Sequence, residues 1–201
     1  RKAPGQTRGE VRRAQAEHTE AIDAVKQHGA EDLDVAIDWL HRHQDVSSVG
    51  VIGHSVGAGA ALLSGSRRDD LAAVVSVSAF AHPGETMAQG PPMSRLPGPV
   101  RAGILRTMEN TIGYRFDEIA PRATITQVAA PLLLVHGDAD RVVPIEDLHE
   151  LSALQPEAET LIVAGAGHAS LDRFEPHVHR ILGFLSTNLG EPGTVQAEAD
   201  S

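Results

Sequence analysis

The 201 residues contain no cysteine, which excludes disulfides and thiolate metal sites and is compatible with a reducing, cytoplasmic compartment. Lysine is almost missing, occurring only as Lys2 and Lys26, and the remaining basic residues are scattered arginines. With a formal net charge of −10, no basic face is expected for nucleic acid or an anionic membrane surface. No apolar run approaches the length of a bilayer span, and no charged-then-apolar leader opens the chain. An initiator Met is also lacking. The chain begins Arg1-Lys2-Ala3-Pro4-Gly5, so the expectation is a removed segment or a longer parent protein.

What is present is ordinary for one globular domain: 41% hydrophobic and 22% charged residues, in a chain long enough to bury a core. Apolar positions recur at helical spacing over 10–28 and again over 31–43. A β-branched run at 48–52 predicts a buried strand, followed by a helix over 58–66. Strands are then expected at 71–79, 131–136 and 160–164, with helices over 100–112, 145–154 and 174–189. Strand and helix alternate four times, the pattern of βα units on a parallel sheet. Residues 80–126, rich in proline, are too long for a plain connection and are expected to form a helical cap over a site. Residues 1–189 would form the domain, and 190–201 a polar disordered tail.

The first strand runs into Gly53-His54-Ser55-Val56-Gly57, a G-x-S-x-G pattern. The bare pattern is weak, but a strand before it and a helix after it are the context of a nucleophile elbow. In such a turn the residues two before and two after the serine crowd together, so Gly53 and Gly57 are both expected to lack room for a side chain. A serine hydroxyl needs a base, and the base needs an orienting acid. The third strand ends in His136-Gly137-Asp138-Ala139-Asp140, and the fourth in Ala164-Gly165-Ala166-Gly167-His168. Each lies just past the C-terminal end of a predicted parallel strand, where α/β sheets carry their sites. Asp138 and Asp140 are both placed to serve as the acid.

Together GHSVG, HGDADRVVP and AGAGH resemble the elbow, acid loop and histidine loop of the α/β-hydrolase fold, over about residues 31–189. The resemblance implies an α/β fold: a mostly parallel sheet flanked by helices, with a helical cap insertion and the N-terminal part of the sheet missing. It implies the triad Ser55, Asp140 and His168, with Asp140 preferred over Asp138 because it occupies the D of HG-x-x-D. It also implies an oxyanion donor in the Val56 backbone N–H. The second donor of such folds comes from a loop after an earlier strand, which the resemblance places before residue 1. The chain alone would then be an incomplete hydrolase.

The chemistry implied is ester hydrolysis through an acyl-enzyme on a small-molecule acyl substrate. The alternatives are a serine peptidase or amidase, a thioesterase, or a non-catalytic module that keeps the fold. His54, Phe80, Met87 and Met108 are candidates for a substrate pocket, with Met93 and Tyr114, although packing of the cap on the core would also explain the apolar ones. Among the eleven histidines, His41, His43, His177 and His179 fall on predicted helices without an H-E-x-x-H pair, and His136 reads as a strand-end core residue. No metal or cofactor is expected. Oligomeric state stays open.

Overall fold

Four short runs rich in valine, isoleucine and leucine make the sheet, and longer stretches with helical apolar spacing cover it. The structure, a computed structural model, describes residues 29–42 and 46–190. Within them α1 occupies 29–41. It is followed by β1 (Val49–His54), α2 (Val56–Arg67) and β2 (Leu71–Val77). The stretch between β2 and β3 holds α3 (Pro83–Gln89), α4 (Gly98–Ile112), α5 (Phe116–Ile119) and α6 (Pro121–Thr124). Then come β3 (Leu132–Gly137), α7 (Ile145–Leu154), β4 (Glu159–Val163), α8 (Leu171–Phe174) and α9 (Val178–Leu189). The helix expected over 10–28 lies outside the described residues, as does the expected tail except Gly190, which ends α9.

The described strands pair in the order β1-β2-β3-β4, all parallel. Helices cover both faces, which is the economical way to bury a parallel sheet. On one face Ile37 of α1, Ala58, Ala61 and Leu62 of α2, and Leu148 and Leu151 of α7 pack against Val49, Val51, Val74, Leu132 and Leu134. On the other, Phe184 of α9 packs with Ala73, Val75, Leu133, Val135 and Val163. β3 is buried along its whole length, as its LLLVHG sequence suggests.

Two sequence expectations change. β1 is not buried on both faces: Val49, Val51 and Gly53 are buried while Ile52 is 56% exposed, because β1 ends the strand order among the described residues. The helix expected over 174–189 is also interrupted. Pro176 has no N–H to continue an α-helical ladder, and Glu175–His177 forms a 3-10 turn between α8 and α9. No helix among the described residues is long and apolar enough to cross a membrane.

The elbow glycines are not equivalent. A Cβ on Gly53 would lie 2.0 Å from the Gly57 carbonyl oxygen and 2.7 Å from the Ala58 nitrogen, whereas one on Gly57 would meet nothing within 4 Å. The crowding expected at both positions therefore exists at Gly53 alone, where the strand end meets the backbone of α2. Gly53→Ala is expected to lower stability by about 3 kcal/mol or more, since backbone must move. Gly57→Ala should be neutral or raise stability by up to about 1 kcal/mol through helix propensity. Thermal unfolding of the two variants checks the contrast.

Candidate active site

The C-terminal edge of the sheet gathers three loops. β1 turns directly into α2 through Ser55, whose backbone is held at φ 56°, ψ −115°. That left-handed conformation is strained for a serine and persists only where its surroundings fix it. Here the Ser55 N–H donates to the Val77 carbonyl at 2.9 Å, and the Ser55 carbonyl accepts the Ala58 and Gly59 amides of α2. The Ser55 side chain makes no capping bond to the helix. Its hydroxyl lies instead 2.9 Å from His168 Nε2.

His168 follows β4, and its Nδ1 lies 2.7 Å from Asp140 Oδ2. A carboxylate only accepts, so Nδ1 carries the proton and Nε2 is left to accept from the serine hydroxyl. The Asp140 side chain is fully buried and both oxygens are engaged. Oδ1 accepts the Val142 and Val143 amides at 2.8 and 3.0 Å. Burial alone would push this carboxyl up. The Val143 amide, the His168 ring and the Val142 amide outweigh it and hold the group below its ordinary value. Asp138, the other acid in the same loop, accepts the Gly165 amide at 2.6 Å.

The acid and histidine loops are pressed together at Gly137, where a Cβ would lie 2.2 Å from the Ala166 carbonyl oxygen. That same oxygen accepts the Ala139 amide at 3.0 Å. Gly165, at φ +69°, makes the turn that carries the loop after β4 over the end of β3.

Two further histidines brace this constellation. His136 is buried and donates from Nε2 to the Val143 carbonyl at 3.0 Å, holding the strand-end segment whose amides bind Asp140. His54 stands outside the cavity next to Ser55. Its Nε2 donates to the His168 carbonyl at 2.8 Å, and the two rings lie 5.0 Å apart. Neither role carries a sequence signal beyond adjacency to a motif.

A cavity of about 330 Å3 opens against Ser55 and Val56. Of the residues anticipated for a pocket, Phe80, Met87, Met108 and Tyr114 line it, whereas His54 and Met93 do not. Its floor is one face of α2, Val56, Gly59, Ala60 and Leu63, at the i, i+3, i+4, i+7 spacing that sequence inspection can find. A larger hollow of about 520 Å3 lies between α3 and α4 and is lined by His82, Glu85, Arg106 and Arg115 among others, without any of Ser55, Asp140 or His168. Among the described residues no group of three or more His, Asp or Glu side chains converges as a metal site.

A family model described as the prolyl oligopeptidase family matches residues 6–192. The pimeloyl-[acyl-carrier protein] methyl ester esterase of Xanthomonas axonopodis pv. citri is 46% identical over 48 residues, 24% of this chain and 19% of that protein. The matched stretch thus spans about a fifth of that relative. Est1E from Butyrivibrio proteoclasticus superposes with a TM-score of 0.64 at 18% identity, over 81% of this chain and 70% of the other. An esterase of Pyrococcus furiosus gives 0.62 at 22% identity, over 83% of this chain and 64% of its own. The alpha/beta hydrolase GrgF from Penicillium gives 0.57 at 18%, over 82% and 72%. At such identities the likeness is one of fold, and that fold is the α/β hydrolase.

A carboxyl held below its ordinary value contributes stability above the unfolded-state pKa, about 3.9, and loses it as the pH falls through the lower folded value. Asp140→Asn should therefore cost about 1–3 kcal/mol at neutral pH. The difference from the parent should close as the pH drops below the ordinary carboxylate range. Urea unfolding across that range measures it.

Proposed function

The chain belongs to the prolyl oligopeptidase family, and on that premise we propose that it hydrolyses a carboxylic ester through an acyl-enzyme on Ser55. The observation that carries the reading is the unbroken relay Ser55 Oγ, His168, Asp140, at 2.9 and 2.7 Å. His168 Nε2 takes the hydroxyl proton as Ser55 Oγ bonds to the carbonyl carbon. Asp140 holds the Nδ1–H tautomer and stabilises the imidazolium. The carbonyl oxygen becomes an oxyanion against the Val56 N–H, the first amide of α2, which points positive backbone dipoles at the site. The C–O bond to the alcohol then breaks, and His168 returns the proton to the departing oxygen. Water, deprotonated by the same nitrogen, attacks the acyl-enzyme and releases the acid, and Ser55 regains its proton.

An ester is favoured over an amide by the apolar cavity beside Ser55 and by the esterase activity named for the Xanthomonas relative. The family's description supports a second reading, a peptidase with the same triad.

A fluorophosphonate should label the protein at Ser55 and leave Ser55→Ala unlabelled. The substitution should lower kcat for ester hydrolysis by roughly 10⁴- to 10⁶-fold. Faster cleavage of aminoacyl amides than of matched esters would replace the esterase reading by the peptidase one. His54→Leu should lower kcat about ten- to a hundredfold with KM little changed, because it frees the His168 backbone without touching substrate. An unchanged kcat would deny His54 that positioning role.

A further inference from the structure

The cavity beside Ser55 has a direction, and that direction separates the two halves of an ester. After attack, the carbon carries the serine oxygen, the oxyanion, the leaving oxygen and the acyl chain. The leaving oxygen must face His168 Nε2, which protonates it, and the oxyanion must face the Val56 amide. The acyl chain takes the remaining direction. The described lining of the cavity includes Ser55 and Val56 but neither His54 nor His168. The acyl chain is the substituent left to this cavity, whose lining also takes in Val142 and Val143 beside Asp140.

Its walls set what fits. The α2 face gives a floor of small or apolar residues, and Phe80, Met87, Met108 and Ile112 form the opposing wall. A Cβ at Gly59 would lie 3.0 Å from the Phe80 ring, so this ring packs on α2 at the point where the helix has no side chain. From Ser55 to Leu63 the helix rises about 12 Å. An extended chain advances roughly 1.2 Å per bond, the rate at which a three-bond residue reaches its full span, giving about ten bonds.

The far end is polar. Glu31 and Tyr114 line the cavity there. Glu31 Oε1 is shut off from solvent, accepts no hydrogen bond, and stands 3.5 Å from Arg67 Nη1. The Arg67 guanidinium lies 5.6 Å from the centre of the Tyr114 ring. The rest of the pair is solvated, with the Glu31 side chain 38% exposed, so a methyl group driven against it would strip water from charge without offering a hydrogen bond, which is costly.

Resting on the hydrolase reading above, we propose that the cavity is an acyl site for unbranched apolar acids of about eight to ten carbons, with Glu31 as the residue that limits chain length. The alcohol half of the ester leaves on the His168 side, where this cavity imposes no requirement.

The test is a chain-length series on the intact protein. With the alcohol fixed, kcat/KM should rise by up to about fourfold per added methylene to eight to ten carbons, then fall at least about tenfold by fourteen. With an acetyl group fixed and the alcohol lengthened, it should stay within about threefold. Ala60→Phe, which fills the floor, should cut the octanoate-to-acetate ratio about tenfold or more. Glu31→Leu, at the far end, should move the optimum to longer chains. Labelling of Ser55 by a small fluorophosphonate reports on the site independently. A flat acyl series or a rising alcohol series in a protein that labels would overturn the acyl site and leave the hydrolase reading intact. An unmoved optimum in Glu31→Leu would remove Glu31 as the limit. Absence of labelling in the parent protein would overturn both readings together. If Ala60→Phe fails to label, Glu31→Leu decides.

Discussion

Asp140 has no contact with solvent through its side chain, and a buried carboxylate is tolerable only if its charge is met on every side. Two amides of its own loop meet one oxygen and the His168 ring meets the other. That requirement shapes everything around it. The Val142 and Val143 amides converge because His136, beneath them, holds the Val143 carbonyl. The His168 ring reaches Asp140 because the loop after β4 is drawn onto the end of β3, where Gly137 leaves room for the Ala166 carbonyl. His54 fixes the His168 backbone from the opposite side. A charge taken out of water thus specifies the position of the imidazole, and the imidazole specifies where the serine hydroxyl is useful.

The roof of the cavity is fixed to the same framework. Ala81, at the entry to the insertion, donates its amide to Asp147 Oδ2 on α7 at 3.0 Å. Its carbonyl accepts the Arg122 amide of α6 at 3.0 Å. The beginning and end of the helical insertion are therefore tied at one residue, and α7 is tied with them. Arg122 also pairs with Glu85 of α3 and Glu150 of α7. Burial raises the Asp147 carboxyl, with Glu150 adding to it against the Ala81 amide. Its ionised form therefore detracts from stability above the ordinary carboxylate range, the opposite sign to Asp140. The anchor is a position marker more than a source of stability.

Much of this was legible in the sequence because it follows from local pattern. Strand, elbow and helix at 48–66, and the acid and histidine loops at the ends of the third and fourth strands, are each encoded within about ten consecutive residues. What was not legible depends on long-range contact. No local signal distinguishes Gly53, pressed against α2, from Gly57, which faces open space. The half-exposure of β1 depends on what lies beside it in the sheet. The assignment of Asp140 over Asp138 rested on likeness to a motif. In the structure the His168 ring lies against Asp140, at 2.7 Å, while Asp138 accepts the Gly165 amide. His54 and His136 act through backbone carbonyls, and such bonds leave no mark on residue spacing.

The small residues of α2 show how two of these constraints meet in one helix. Val56-Gly57-Ala58-Gly59-Ala60-Ala61 is a poor helix former by its glycines, each costing about 1 kcal/mol against alanine. One face, Ala58, Ala61 and Leu62, is buried on the sheet, close enough that β1 can enter the helix through the strained turn at Ser55. The adjoining face, Val56, Gly59, Ala60 and Leu63, lines the cavity. Larger side chains on the first face would push the helix off the strand end and relax the serine out of reach of His168. On the second face they would fill the space beside Ser55. Helix propensity is given up at Gly59 because the Phe80 ring packs on it, whereas Gly57 faces open space, and tertiary packing, not local preference, holds α2 together.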